Sequence, residues 1–146
     1  KKLKLIFSGK HTNDLYIEAE NSFYANFLKN YKFNILKNTN NSFSTFLHVL
    51  ESKIVIGHNS TILREAISLG KKVLACNLTN HKDMIFPVDG LCTLNNESYT
   101  QFEKKVLNLL DLSDEDFFLS LGDKKDYIIN TEINAANYLR SRINKI

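Results

Sequence analysis

The sequence predicts an α/β domain with a parallel sheet of about five strands and helices on both faces. Short apolar runs rich in β-branched residues alternate along the chain with segments whose apolar residues recur at helical spacing. Residues 54–77 show this alternation within one strand–helix–strand unit. With 146 residues, 43% of them hydrophobic and 24% charged, the chain is long enough to form one domain with its own core.

The stretch at residues 54–77 is the clearest part of this pattern. It begins with three consecutive β-branched residues, which indicate a strand that is covered on both faces. Gly57 allows a turn, and residues 59–61 are polar candidates for capping the helix that follows. Gly70 fits the left-handed position that ends a helix, and a second apolar strand covers Val73–Cys76. The helix therefore starts at the carboxyl end of a parallel strand, which is a position that binds anions.

The other elements are predicted from the same two kinds of spacing. Before this unit we expect a strand at 3–7, a helix at 15–31, a strand at 33–36 and a helix at 45–51. After it we expect a strand at 91–94 and helices at 98–110, 114–121 and 130–143. This order predicts parallel strands that are joined by helical crossovers.

Polar turns follow the predicted strands. They lie at residues 8–11, 37–41, 57–61 and 77–83, and together they contain His11, His58 and His81, three of the four histidines. The carboxyl ends of parallel strands share one edge of a sheet, and ligands bind in the crevice outside that edge. The concentration of polar residues therefore predicts a binding site there.

Composition and motifs exclude several classes of function. The net charge of +3 is too small to indicate nucleic-acid binding, and no P-loop or Gly-x-Gly-x-x-Gly motif is present. No run reaches the roughly 18 apolar residues that a membrane span needs. Cys76 and Cys92 lie in apolar runs, so we expect reduced core thiols and a cytoplasmic location. The acidic run at 114–116 fits the first turn of a helix better than a metal site, so we expect no metal.

Residues 59–74 read NSTILREAISLGKKVL and resemble a segment in the nucleotide-sugar-binding half of GT-B glycosyltransferases. The likeness covers the Ser/Gly-rich turn, the Glu-Ala pair, the glycine and the final valine of that pattern. The segment is similarly close to UDP-N-acetylglucosamine 2-epimerases, which share the fold, and to bacterial capsule and surface-carbohydrate biosynthesis proteins. The resemblance is best over residues 43–110. Lys71 and Lys72 depart from it at a structural position, where they would lie at the negative end of the helix.

The resemblance implies a Rossmann-like domain that holds a diphosphate at a turn and a ribose on the helix that follows. Carried over, Ser60 and Thr61 would contact the diphosphate and Glu65 would accept from the ribose hydroxyls. Gly9 and Lys10 would lie beside the phosphates. Plainer explanations remain open, since Ser60 and Thr61 are helix caps in any case and Glu65 could be an exposed acid paired with a lysine.

The turn histidines are candidates for the same site. Asn59 and His58 adjoin the phosphate-binding turn, and His58 could bind phosphate or line the sugar site. His81, in the loop after the fourth strand, could reach the sugar or act as an acid or base. The alternative for these residues, and for Lys10 and His11, is an ordinary exposed position in a turn.

On this resemblance the chain is the C-terminal, donor-binding half of a GT-B-type glycosyltransferase of surface polysaccharide biosynthesis, and part of a longer protein. It would bind a nucleoside-diphosphate sugar as substrate without a cofactor, and the catalytic residues stay unassigned. An N-terminal acceptor-binding half or partner subunit would complete the enzyme, which would associate peripherally with the inner face of the membrane. A nucleotide-sugar 2-epimerase-like domain and a non-catalytic Rossmann-like interaction subunit are the alternatives.

Overall fold

The computed structural model describes residues 4–9, 12–36, 44–79 and 81–127. The strands in these ranges are β1 (Leu5–Ser8), β2 (Phe33–Leu36), β3 (Ile54–Gly57), β4 (Lys72–Asn77) and β5 (Thr93–Asn95). The α-helices are α1 (Asp14–Phe27), α2 (Ser44–Glu51), α3 (Thr61–Ser68), α4 (Tyr99–Asp111) and α5 (Asp114–Leu121). Short 3-10 helices cover Lys82–Met84 and Gly122–Tyr127. Every strand pair within the described ranges is parallel, so the predicted Rossmann-like α/β class is confirmed.

The strands form two sheets, each smaller than the sheet of about five strands that the sequence predicts. One sheet has two strands, β1 and β2, and the other has three in the order β3-β4-β5. Apolar periodicity identifies a strand but does not say which strand pairs with it, so the division could not be predicted. The chain forms two compact units, Lys1–Glu51 and Ser52–Ile146.

In the first unit, aromatic rings join α1 to the two-stranded sheet. The Phe7 ring of β1 stacks on the Tyr24 ring of α1, with their centroids 4.2 Å apart. Phe33 of β2 meets Phe7 edge-on, with the centroids 5.9 Å apart. Ile17 is the buried residue of α1 and is 5% exposed. Paired aromatic rings of this kind stabilise a small core beyond the area they bury.

In the second unit, β4 is the central strand and all six of its residues are buried. This burial explains the continuous apolar run, because a central parallel strand is covered on both faces. The helix α3 packs on β3 and β4 and buries Leu63, Ala66 and Ile67. Further core residues of this unit are Val73, Leu74, Val88, Cys92, Leu94, Leu109, Phe117 and Leu121.

Lys72 is a charged residue inside this core. It begins β4 and is only 6% exposed. Its ammonium donates to the carbonyl oxygen of Leu112 and lies 3.5 Å from a carboxylate oxygen of Asp114. The position is structural, as predicted, but the ammonium lies at the end of α4 and not at the end of α3. A helix C-terminus carries partial negative charge, so the contact is favourable there too.

Both cysteines are free and buried, which agrees with the prediction of reduced core thiols. Burial raises the pKa of the Cys92 thiol to about 11 and also raises the pKa of Cys76. The Cys92 thiol donates to the carbonyl oxygen of Val88, 3.3 Å away. A thiol that stays protonated is a poor nucleophile and a poor metal ligand.

Three element boundaries differ from the prediction by more than one residue. One is the start of β1, which is at Leu5. The other two have a local reason. The helix α1 ends at Phe27, because Leu28 has φ −104° and ψ 33° and the Tyr31 N–H donates to the Leu28 carbonyl in a turn toward β2. The strand β5 begins at Thr93, because residues 91–92 belong to the preceding turn. The predicted helix at 130–143 and the predicted turn at 37–41 lie outside the described residues.

Within the described ranges, none of the helices combines the length and the apolar character that crossing a membrane requires.

Candidate functional site

The second unit brings three polar segments of the chain to one edge of its sheet. Gly57 pairs with Ala75 and Asn77 pairs with Asn95, so the carboxyl ends of β3, β4 and β5 are neighbours. We call residues 57–61, 77–84 apart from residue 80, and 95–98 the carboxyl edge. The helices α3 and α4 both start at this edge. A crevice outside such an edge is where open α/β sheets bind their ligands.

The first segment is the turn between β3 and α3. His58 is exposed directly after the strand, and Asn59 has a positive φ of 36°. Asparagine tolerates that left-handed conformation better than most residues, so Asn59 makes the turn that the sequence analysis assigned to Gly57. Gly57 instead lies against α3: a Cβ added to it would be 3.4 Å from a methyl group of Leu63.

The second segment is the loop after β4, which Asn77 organises. The Asn77 side chain accepts from the N–H of Thr79 at 3.0 Å and from its hydroxyl at 2.8 Å. The Asn77 amide donates to the carbonyl oxygen of His81 at 3.2 Å. His81 itself is exposed and precedes the 3-10 helix Lys82–Met84.

The two segments touch each other. The side-chain amide of Asn59 donates to the sulfur of Met84, 2.8 Å away. This contact places the turn that carries His58 and Ser60 beside the loop that starts at His81. The structure therefore brings together Asn59, Ser60 and the loop of His81, as the sequence predicts for a shared edge.

Glu65 and Thr61 share the outer face of α3. Residues four apart in a helix lie above one another, and Cβ atoms lean toward the N-terminus, so Glu65 leans toward the turn. Its side chain is half-buried, while Thr61 is exposed. Within the described part of the chain Glu65 forms no ion pair, so the alternative of a Glu–Lys pair has no support there. A carboxylate one turn from a helix start can accept from hydroxyl groups of a ligand that is bound at that start.

The start of α3 differs from the starts of three other helices. Ser60 occupies its N-cap position with an extended backbone, but its side chain makes no capping hydrogen bond. Side chains of Asn13, Ser98 and Ser113 do cap α1, α4 and α5 by accepting from backbone N–H groups. Capping side chains normally satisfy the free N–H groups of a first turn. The Ser60 hydroxyl is therefore left to contact solvent or a ligand at the carboxyl edge.

Ser60 and Ser113 form a matched pair for testing this difference. We expect Ser113→Ala to lower the free energy of unfolding by about 1 kcal/mol, because its hydroxyl accepts from the Asp116 N–H at 3.0 Å. We expect Ser60→Ala to change it by no more than a few tenths of a kcal/mol, since no cap is lost. Urea denaturation of both variants measures the two losses in the free energy of unfolding. Equal losses would show that the Ser60 side chain caps α3 in solution.

The first unit contains the other predicted turn. The Gly9 N–H donates to the carbonyl oxygen of Leu36, and a Cβ on Gly9 would lie 3.0 Å from that oxygen. The same Cβ would lie 3.4 Å from a carboxylate oxygen of Glu20, so a phosphate at Gly9 would have to avoid a negative charge. Lys10 and His11 lie outside the described residues, and their phosphate contact stays a prediction.

The sequence analysis missed Asn77 and Asn96 at the carboxyl edge. Asn96 has a positive φ of 50°, and its N–H donates to the carbonyl oxygen of Asn77 at 2.7 Å. Together they tie the ends of β4 and β5. An asparagine that directly follows an apolar strand, with threonine two residues later, is a signal for such a side-chain turn and could have identified Asn77.

No group of three or more His, Cys, Asp or Glu is placed to hold a metal ion in the part of the chain that the structure describes. Two carboxylates of the acidic run have protein partners. Asp114 lies beside Lys72, and Asp116 accepts from the Ser113 hydroxyl at 2.7 Å.

A cleft of about 290 Å³ lies on α5, lined by Glu115, Phe118, Leu119, Gly122 and Asp123. None of these five residues belongs to the carboxyl edge.

One family model matches the chain, over residues 1–87, and it is described as "putative O-antigen biosynthesis protein". The match covers more than half of the 146 residues. The chain belongs to this O-antigen biosynthesis family. The matched part contains β1 to β4 and two of the three segments of the carboxyl edge, 57–61 and 77–84. Membership is consistent with a role in surface polysaccharide biosynthesis. No curated protein matches the chain significantly, and neither does a solved structure.

Proposed function

We propose that the chain binds the nucleotide-sugar donor of a GT-B-type glycosyltransferase that acts in surface polysaccharide biosynthesis. The observation that carries this proposal is the Ser60 hydroxyl, which makes no capping hydrogen bond to α3 at the carboxyl edge. The Ser60 backbone carbonyl accepts from the Leu63 N–H there. Such a helix start offers a hydroxyl group and a positive dipole end to an anion. The O-antigen biosynthesis family supports the same class of pathway.

The donor diphosphate would lie against residues 58–61. Ser60 and Thr61 would donate their hydroxyls to it, and the helix start would add about 0.3–1 kcal/mol, or roughly 2 kcal/mol if partly buried. Glu65, one turn further on the same face as Thr61, would accept from the ribose diol at about 1.5–3 kcal/mol for each well-made bond. These energies suit a ligand of micromolar to millimolar affinity, which an enzyme can release after each turnover.

The sugar would extend toward the loop after β4. His81 follows Asn77 and Thr79 there, and the Asn59–Met84 contact holds this loop beside the diphosphate turn. His58 would line the same space. In this proposal the donor is a substrate and no cofactor takes part. An acceptor-binding half or partner subunit supplies the acceptor, so this chain binds the donor without turning it over.

An NMR titration with UDP, GDP, CDP, CMP and ADP tests the proposal. We expect one nucleotide to shift the amide signals of residues 57–65 and 78–84. Glu65→Ala should weaken that binding by roughly 10-fold to 100-fold, because a charge-assisted bond is lost. Ser60→Ala should weaken it by roughly 3-fold to 10-fold with little loss of stability.

Glu115→Ala and Ser113→Ala are the matched controls. Both remove the same side chains at the start of α5, which meets the opposite end of β4 through Lys72. We expect neither to change nucleotide affinity. If Glu65→Ala and Ser60→Ala bind as well as the unmodified chain, the proposed site is wrong. If none of the nucleotides binds at millimolar concentration, a non-catalytic interaction subunit becomes the better explanation.

A further inference from the structure

The sequence contains three sulfur atoms, which belong to Cys76, Met84 and Cys92. Cys76 is 6% exposed and Cys92 is 0% exposed, whereas Met84 is half-buried. Burial raises the pKa of both thiols, so they stay protonated near neutral pH. Oxidants attack the thiolate form of cysteine, while a thioether keeps its reactive lone pairs at every pH. Met84 is therefore the sulfur that a mild oxidant reaches first.

Met84 lies where two segments of the carboxyl edge meet. Its sulfur accepts from the side-chain amide of Asn59, in the turn after β3. Met84 itself ends the 3-10 helix Lys82–Met84 in the loop after β4. Asn59 has a left-handed backbone with φ 36° and directly precedes Ser60, the N-cap residue of α3. The bond between Asn59 and Met84 therefore links the start of α3 to this loop.

The loop around Met84 is fixed on both sides of it. On one side the Asn77 amide donates to the carbonyl oxygen of His81. On the other side Val88 is fully buried in the core. If the bond to Asn59 were lost, movement would be confined to the segment between these two anchors and to the turn at 58–61.

We propose that Met84 is an oxidation site, and that its sulfoxide releases the loop after β4 from the turn that begins α3. The oxidant is a peroxide. A lone pair of the sulfur attacks one oxygen of hydrogen peroxide and the O–O bond breaks. The proton on the transferred oxygen passes to the leaving hydroxide, which departs as water. The sulfur is oxidised to the sulfoxide and the peroxide is reduced.

Oxidation removes the bond between Asn59 and the Met84 sulfur whichever lone pair reacts. An oxygen on the lone pair that faces Asn59 takes the place of the amide and moves the turn outward. An oxygen on the other lone pair makes the sulfur electron-poor, so that it no longer accepts. In both epimers the side chain becomes polar and favours solvent over a half-buried position. Methionine sulfoxide reductases reverse the step, one enzyme for each epimer.

The effect of this oxidation on ligand binding rests on the proposed function, whereas the site of oxidation does not. A diphosphate at residues 58–61 needs Asn59 and Ser60 in fixed positions, and the bond to Met84 holds them. Oxidation should therefore weaken the binding of whichever of UDP, GDP, CDP, CMP and ADP the chain binds. A loss of roughly twofold to tenfold is expected, which corresponds to one neutral hydrogen bond.

Limiting hydrogen peroxide tests the site of oxidation. Intact mass and peptide mapping should show one added oxygen, on Met84, while a thiol reagent still counts both cysteines after denaturation. The amide NMR signals of residues 58–61 and 81–85 should shift, and those of Val73 and Leu74 in β4 should not. The two sulfoxide reductases together should restore the spectrum. Oxidation of a cysteine ahead of Met84 would overturn the proposal, and so would unshifted signals at 58–61 once Met84 is fully oxidised.

Two variants separate loss of the bond from other effects of peroxide. Met84→Leu keeps the volume but has no oxidisable sulfur, so peroxide should leave its spectrum unchanged. Asn59→Gly keeps the left-handed backbone and removes the amide, so it should shift the signals at 81–85 without peroxide. Peroxide should then leave the signals at 58–61 of Asn59→Gly in place. If it moves them as far as in the unmodified chain, the sulfoxide acts by another route and the proposal is wrong.

The nucleotide panel, repeated on the oxidised chain, tests the link to ligand binding. Equal affinity of the oxidised and unmodified chains would disprove that link and leave the donor site intact. If neither chain binds any of the five nucleotides, the proposed function fails and the link fails with it.

Discussion

Lys72→Ala should lower the free energy of unfolding by about 2–4 kcal/mol, although lysine is usually a surface residue. The substitution removes buried methylene groups and leaves a cavity in the first position of β4. It also removes the hydrogen bond from the ammonium to the Leu112 carbonyl, and bonds to charged groups contribute about 1.5–3 kcal/mol. Urea denaturation followed by circular dichroism measures the loss.

Two further variants divide the effect of Lys72 into its parts. Lys72→Met keeps most of the side-chain volume, so it should cost less than Lys72→Ala, and the difference reports packing. Asp114→Asn should cost less than about 1 kcal/mol, because the Asp114 side chain is 71% exposed and its ion pair is screened. If Lys72→Ala lowers the free energy of unfolding by less than about 0.5 kcal/mol, Lys72 behaves as a surface lysine. That result would contradict its burial in the structure.

The chain should lose about 2 kcal/mol of stability between pH 9 and pH 11 through Cys92 alone. Burial raises the pKa of this thiol from 9.0 to about 11 in the folded chain. Between these values the unfolded chain releases the thiol proton and the folded chain keeps it. Rising pH therefore favours the unfolded state, and the contribution is complete below pH 9.

Comparing variants separates the contribution of Cys92 to the pH dependence of stability from that of the tyrosines and lysines, which titrate in the same pH range. Urea denaturation at pH 8.5 and pH 10.5 should show a much smaller loss of stability in Cys92→Ala than in the unmodified chain. Cys76→Ala is the control and should keep most of the loss. Cys76 is 6% exposed against 0% for Cys92, so its thiol is less completely withdrawn from solvent. An identical pH dependence in Cys92→Ala and the unmodified chain would be inconsistent with a buried protonated thiol.

Local sequence predicted most elements of the fold. The apolar run at Ile54–Ile56 became β3, and Ser113 with Gly122 bounds α5 as predicted. These features depend on neighbours in the chain, such as capping side chains and periodic apolar residues. Pairing depends on residues far apart in the chain, which is why the split into sheets of two and three strands was not predicted.

The candidate site was predicted in part. The polar turns after β3 and β4 were expected at one edge, and the structure joins them through Asn59 and Met84. The role of Asn96 was missed, because it is defined by a hydrogen bond to Asn77 at the end of another strand. The role of Asn77 rests on bonds within four residues of the chain, and the sequence carries a signal for it. The contacts of Ser60, Thr61 and Glu65 with a donor stay predictions that the titration tests.

The sequence by itself determined the α/β class, the parallel strands, the buried thiols and the position of the polar turns. The class and the parallel direction follow from the alternation of strands and helices along the chain. The thiols and the turns follow from residue type and spacing within about ten residues, where backbone sterics and apolar burial decide the outcome. Only the tertiary structure decided three other features. It placed the Lys72 ammonium at the end of α4, left the Ser60 side chain without a capping bond, and left Phe23 and Phe27 of α1 exposed. These depend on which surfaces meet in three dimensions, and the same side chain can be buried or exposed accordingly.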